Sequence, residues 1–258
     1  MSIAPIAAVV FSFAIILVAN SLEGGHLSSL LQPTAAMIVF GGTLGATWLT
    51  ATNEELKHLL HFLPKVVRPD RTHRGKLVEA MVTAAKVVRR EGMLALEKML
   101  PEVENAFLRR GLQSLADGGS PEDVRRLLET ELEIEHERGV ACGKIFEAAG
   151  GYSPTVGILG AVLGLIHVMR NLADPSMIGS GIAVAFVATV YGVGFANLLF
   201  IPLGARLKKI AGAEAETRTM VLMGLSIIAT GAHPRQVEEI LSAYLSPKER
   251  PQIDSAGQ

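Results

Sequence analysis

Twenty-six consecutive residues, Ile178 to Leu203, contain no Asp, Glu, Lys or Arg. At about 1.5 Å rise per residue, a helix of that length exceeds the roughly 30 Å hydrocarbon core of a bilayer. The preceding stretch, Pro154 to Met169, is equally free of such residues, and a short turn joins the two. It is short for a full crossing, but Gly150 to Ser153 can extend it. The pair predicts a transmembrane helical hairpin, which confines the chain to folds that satisfy their backbone polar groups within helices.

Two more apolar runs lie near the N-terminus. Ile3 to Leu22 spans 20 residues, with Pro5 in the first turn, where a missing N–H costs little. Thr34 to Thr52 follows a break at Glu23–His26; it carries the pair Gly41 and Gly45 and ends near Trp48, a suitable interfacial anchor. The first run has no basic leader, and no cleavage site stands out after it, so it reads as a retained helix. Four spans are expected.

Between the hairpins the composition changes. Asn53 to Gly150 holds 16 of the 24 Lys and Arg residues and 17 of the 25 Asp and Glu residues. Leu77, Met81, Ala84, Ala85 and Val88 fall at helical spacing within Lys76 to Leu100, with basic residues off that stripe. Ser120 is placed as an N-cap before Pro121 and Asp123, opening a further amphipathic helix. The alternating Glu129, Glu131, Glu133, Glu135 and Glu137 read as a solvated helix face. After Leu203 come Arg206, Lys208 and Lys209. An apolar run from Thr219 to Ala232 follows, too short for a span, then an amphipathic helix over Gln236 to Leu245 and a frayed tail from Ser246.

The fold class expected is therefore an all-α membrane protein in four parts. Residues 1–52 form a transmembrane hairpin, 53–150 a helical cytoplasmic insert, 151–205 a second transmembrane hairpin, and 206–258 cytoplasmic C-terminal helices and tail. Topology follows from charge. The link Glu23 to Pro33 has no Lys or Arg, and the link between spans three and four has only Arg170 at its edge. The insert has 16 basic residues and the C-terminal part 7. The positive-inside rule places both, and both termini, in the cytoplasm of a multi-pass inner-membrane protein.

Small residues line one face of each helix of the second hairpin. Gly157, Gly160, Ala161 and Gly164 share a face; so do Gly181, Ala185, Ala188, Thr189, Gly192 and Ala196. Such a stripe is either packing within one bundle or a smooth surface for another chain's helix, and spacing leaves both open.

Composition removes several function classes. A net charge of −1 gives no nucleic-acid signature, and Cys142, alone, can form no intrachain disulfide. Phosphate-binding loops, CxxC and HExxH are absent, so neither an enzyme nor a cofactor is expected. His58 and His61 are too few ligands for a metal. The four apolar runs contain no Asp, Glu, Lys or Arg at all. Intramembrane ionisable groups mark ion pathways, so if this chain moves ions another chain supplies the titrating group. Its own contribution is polar and modest: Thr155 beside Pro154, Thr189, Tyr191, and carbonyls freed by the prolines. Pro202 should kink span four.

The stretch from FEAAGGYSPTVGILGAVLGL through AFVATVYGVGFANLLFIPLGARLKK resembles the proton-channel signature of MotA-type flagellar stator subunits, in the manner of the MotC and PomA branches. The likeness extends to LEGGH and IVFGGTLGA in the first hairpin and to VVRREGMLALEKML in the insert. The resemblance implies a homo-oligomeric ring around helices of a MotB-type subunit, which is anchored to peptidoglycan and carries the ion-binding aspartate. Ion flow would then drive the ring against the rotor protein FliG. It further implies that Pro154 and Pro202 are the family's membrane prolines and Thr189 its channel threonine. Arg89 or Arg90, with Glu97, would be the charged pair facing the rotor. Sodium-driven relatives carry a threonine where this chain has Ala161. A methyl offers no oxygen to a desolvated sodium ion, so the resemblance favours protons. Two rival readings differ in kind. An energiser of the ExbB or TolQ type would have three spans and an outward N-terminus. A scaffold or transporter would need only packing, or a midplane polar pocket and internal repeats.

Overall fold

The computed structural model describes residues 3–68, 73–172, 175–247 and 249. Among them every regular element is helical. Four helical segments are long and apolar enough to cross a membrane: Ala4–Leu22, Leu27–Thr50, Pro121–Arg170 and Ile178–Ala229. The chain divides into two compact units. One comprises Met1–Pro69 and Arg138–Ala211, the other Asp70–Glu137 and Gly212–Gln258.

The first unit opens with α1, Ala4–Leu22, in which no residue is buried. Its Phe13 ring lies 5.0 Å from that of Phe195. The second span is built from α2, Pro33–Ala36, and α3, Gly42–Thr50, joined by a π-helical turn over Met37–Gly41. α4, Asn53–Phe62, starts at a capping box. The Thr52 hydroxyl accepts from the Glu55 N–H, and the Glu55 carboxylate accepts from the Thr52 N–H.

Two helices run further than the sequence pattern indicated. α7 extends from Pro121 to Arg170, 50 residues, with Pro154 inside it. The cap expected at its start is present: the Ser120 hydroxyl accepts from the Asp123 N–H at 3.1 Å. Soluble and lipid-facing helices share the same 3.6-residue period, so a change of solvent need not interrupt the winding. α8, Pro175–Phe195, passes through a second π turn, Ala196–Phe200, into α9, Ile201–Ala229.

The second unit contains α5, Arg74–Glu91, α6, Ala106–Ala116, the start of α7, the end of α9, and α10, Pro234–Ser242. Its core includes Met81, Leu96, Leu108, Leu112, Leu128, Met220, Leu225, Ile228 and Leu241. The apolar run from Thr219 lies in this core, as its length implied. A Cβ at Gly224 would lie 2.3 Å from Met81 Sδ, and one at Gly111 2.2 Å from Leu225 Cδ1. The pattern over Lys76 to Leu100 is not one helix. α5 stops at Gly92, whose φ of 85° favours glycine, and 3-10 turns follow over Met93–Glu102.

The glutamate run is less solvated than its spacing indicated. Arg110 pairs with Glu131 at 2.5 Å, Arg125 with Glu129 at 2.7 Å, and Arg218 with Glu135 at 4.0 Å. The first and third partners come from α6 and α9, beyond the reach of a local sequence pattern. Most of the tail expected beyond Ser246 lies outside the described residues.

Candidate ion-pathway face

The small-residue faces of the second hairpin meet each other. A Cβ added to Gly157 would lie 2.9 Å from the Ala188 carbonyl oxygen and 3.1 Å from Gly192 Cα. One added to Gly164 would lie 2.8 Å from the Gly181 oxygen and 2.9 Å from Ala185 N. One added to Gly192 would lie 2.6 Å from the Ser153 oxygen. The backbones of α7 and α8 therefore touch, as glycine-faced membrane helices can. Ala185 and Ala188 are buried in this crossing, and Ala188 also packs against Ala35 and Val39 of the second span. Gly160 faces Ala188 and Ile38. Packing within the chain thus occupies Gly157, Gly160, Gly164, Ala185 and Gly192. A flat glycine face admits one close neighbour, and the hairpin's own other arm is covalently nearest.

What α7 leaves open is its other flank. Thr155, Ile158, Leu159, Val162, Leu163, Leu165, Ile166 and Met169 are exposed, so this face is bulky and apolar with one hydroxyl near Pro154. Pro154 and Ala161 are half-buried beside it. Stripe-reading by small residues misses this flank, because bulky apolar residues are the norm on any membrane helix. The Thr155 hydroxyl donates to the Tyr152 carbonyl at 2.7 Å. Ser153, fully buried, has an Oγ with no hydrogen-bond partner among the described residues, a polar atom that no motif or spacing singles out.

Thr189 is half-buried and donates to the Ala185 carbonyl at 3.2 Å, a bond back to its own helix. Its oxygen keeps acceptor capacity, so it can receive a hydrogen bond from a protonated carboxyl but cannot give its proton to an ionised one without breaking the first bond. Tyr191 does something the sequence did not reveal. Its hydroxyl donates to the Leu30 carbonyl and accepts weakly from the Gln32 N–H at 3.4 Å, tying α8 to the chain entering the second span. Phe40 stacks beside it at 5.9 Å and meets Phe195 edge-on at 4.7 Å.

Pro202 is exposed at the second position of α9 and lines a cavity with α1 residues rather than with α7. A π turn precedes it, in which the Ile201 N–H reaches the Ala196 carbonyl. The charged groups singled out in the insert, Arg89, Arg90 and Glu97, are all exposed in the second unit. Next to them Glu91 and Lys98 pair at 2.9 Å across the Gly92 turn. The Lys98 ammonium, through its hydrogen bond and its charge, holds the Glu91 carboxyl below the ordinary carboxylate value. No group of three or more His, Cys, Asp or Glu side chains that could hold a metal occurs among the described residues.

These features define a class: an all-helical membrane protein with a glycine-zipped hairpin and no carboxylate in its spans. Two family models match, Motility protein A N-terminal over residues 6–92 and the MotA/TolQ/ExbB proton channel family over residues 100–220. Motility protein A of Bacillus subtilis is 31% identical over 251 residues, 97% of this chain and 93% of that one. Motility protein A of Helicobacter pylori is 32% identical, with 96% and 97% covered. Chemotaxis protein PomA of Vibrio alginolyticus is 28% identical, with 97% and 98% covered. Among solved structures, that of C. jejuni MotAB superposes with a TM-score of 0.91 at 29% identity, covering 98% of this chain and 100% of that one. The flagellar MotAB stator complex of Bacillus subtilis gives 0.85 at 31% identity, covering 95% and 97%. The chain belongs to the MotA/TolQ/ExbB proton channel family.

Proposed function

We propose that this chain is a flagellar motor stator subunit that, with a MotB-type partner, couples inward proton flow across the inner membrane to torque on the rotor. The observation that carries the reading is whole-length similarity to MotAB stator chains in a protein whose spans hold no ionisable carboxylate. A conductor so built is complete only with a second chain. In this reading copies of the chain ring the partner's helices, and the partner, anchored to peptidoglycan, contributes the ion-binding aspartate. The reading gives the chain no enzymatic activity.

The topology adopted is the one charge dictates: both termini, residues 53–150 and residues 206–258 in the cytoplasm, with 1–52 and 151–205 as the two membrane hairpins. The ion pathway and partner-facing surface are assigned to Pro154, Thr155, Ala161 and Thr189, with Pro202 flexing span four. Gly157, Gly160, Gly164, Ala185 and Gly192 hold that surface in place. Arg89, Arg90 and Glu97 face FliG. Proton rather than sodium coupling follows from the methyl at Ala161. Each charge crossing is worth about 2.3 kcal/mol per 100 mV. Protonation of the partner's aspartate would remove the cost of holding a charge against apolar walls, and Thr189 is chemically suited to receive a hydrogen bond from the protonated form.

The test is proton flux in vesicles carrying the chain with and without its co-expressed partner, read with the partner's aspartate intact and as Asn. Flux is expected only with the intact partner. Full-rate conduction by the chain alone overturns the assignment, and a stall of swimming when sodium is removed at constant pH overturns the choice of ion.

A further inference from the structure

A cavity of about 670 Å³ lies between α1 and the junction of α8 and α9, within the first unit. That volume is in the range of sites for small molecules, ~300–1,000 Å³. Its walls are apolar: Pro5, Ile6, Val9, Leu198, Leu199 and Leu203 among them. Arg206 and Lys209 also line it, and no Asp or Glu does among the described residues. The Arg206 guanidinium is held in place by donating to the Val66 carbonyl at 3.3 and 3.4 Å, and Val66 lines the same cavity. Lys208, the other cation of this run, is turned to a different task, an ion pair with Glu147. Lys209 is exposed.

We propose that this cavity binds an anionic phospholipid of the cytoplasmic leaflet, a phosphatidylglycerol-type molecule, with an acyl chain along α1 and the phosphate between Arg206 and Lys209. Three observations converge. The walls are mostly apolar, as an acyl chain requires, with Ser12 and Asn197 the uncharged polar side chains among them. Both cations follow the last apolar residue of span four, where headgroups begin, and basic pockets between membrane helices on that side select anionic headgroups. α1, which forms the other wall, buries no residue against the protein. A lipid would therefore occupy space that side chains of this chain leave open and would fasten the first span to the fourth. The orientation used here rests on the proposed topology; the cavity and its charges do not.

The experiment takes the chain in complex with its co-expressed partner. It is equilibrated in nanodiscs of equimolar phosphatidylglycerol and phosphatidylethanolamine, extracted into mild detergent, and read by native mass spectrometry. Wild type is expected to retain phosphatidylglycerol in preference. Lys209→Gln should lower its retention about fivefold, the worth of one juxtamembrane cation. Ala205→Phe, which fills the cavity from an exposed wall position, should lower retention of both lipids while the complex stays assembled. Arg206→Gln is the less clean variant, because it also frees the Val66 carbonyl. Unchanged phosphatidylglycerol in both Lys209→Gln and Ala205→Phe overturns the inference. So does efficient disulfide crosslinking between copies carrying Ala205→Cys, which would mean a neighbouring subunit fills the space. Retention needs no ion flow, so either result leaves the motor assignment to its own test.

Discussion

Substituting Gly192 by alanine tests the hairpin most directly. The added methyl would lie 2.6 Å from the Ser153 carbonyl oxygen, 3.0 Å from Gly157 Cα and 3.3 Å from Gly157 N. All three are backbone atoms, so no rotamer change relieves the contact, and α7 and α8 must separate by several tenths of an ångström. Overpacking of this kind costs about 1–3 kcal/mol. In a bilayer the loss is felt directly, because close van der Waals contact, not the hydrophobic effect, drives helix pairing. Gly194, two residues on in the same helix, is the control: a Cβ there meets nothing within 4 Å. There the only effect is the helix-propensity gain of alanine over glycine, about 1 kcal/mol. Both variants share the propensity gain, so Gly192→Ala should melt below Gly194→Ala by the overpacking alone, a gap of roughly 1–3 kcal/mol. The assay is unfolding of the detergent-solubilised chain, followed by circular dichroism for both variants under one protocol. Equal transitions would refute the backbone-to-backbone crossing.

Three further outcomes are expected. Tyr191→Phe leaves the Leu30 carbonyl without its donor and should cost about 1 kcal/mol of stability, read in the same unfolding assay. Lys98→Met should change acid sensitivity. Because the folded Glu91 carboxyl sits below its ordinary 4.5, the stability it contributes is complete above that value and is lost as pH falls through the lowered one. The gap between wild type and Lys98→Met should thus hold steady above pH 4.5 and close below it, and a gap that widens on acidification is the contrary result. Arg90→Glu, at an exposed position, should leave folding and partner-dependent proton flux intact while reducing swimming torque; lost flux would place Arg90 outside the rotor-facing role.

Much of the architecture was legible because lipid imposes a blunt rule. A segment without Asp, Glu, Lys or Arg over Ile178–Leu203 has few destinations, and the cap at Ser120–Pro121 is chemistry confined to four residues. Continuity was not legible. Gly150 to Ser153 can extend the third span, but nothing in the pattern joins that span to the helix opened at Pro121, and α7 runs unbroken through both. A Cβ at Gly150 would lie 2.5 Å from Ile201 Cγ1, so there tertiary packing requires the glycine that local propensity disfavours. The facing of the stripes was not legible either, since spacing says which residues share a side but not what covers it. Thr189 shows the same limit: its bond to the Ala185 carbonyl is a matter of rotamer. Tyr191 stands out in the sequence only as a polar group within a span; its contacts with Leu30 and Phe40 join residues far apart in the chain, and Phe13 and Phe40 are each ordinary alone.

The two π turns have a consequence for how this protein tolerates change in length. A π turn is an α-helix carrying one surplus residue, and each residue accounts for about 100° of winding. Phe40 sits inside the first such turn and Phe195 just before the second, and their rings meet edge-on at 4.7 Å. Deleting one residue from Met37–Gly41 would let that helix rewind to regular geometry. The residues beyond would keep nearly their present winding, because the turn already absorbs the surplus, and the disturbance would fall on Val39 and Phe40 within it, which pack against Ala188 and Phe195. A one-residue gap is thus better tolerated inside either π turn than in the regular helix on either side, where it would rotate every later residue by about 100°.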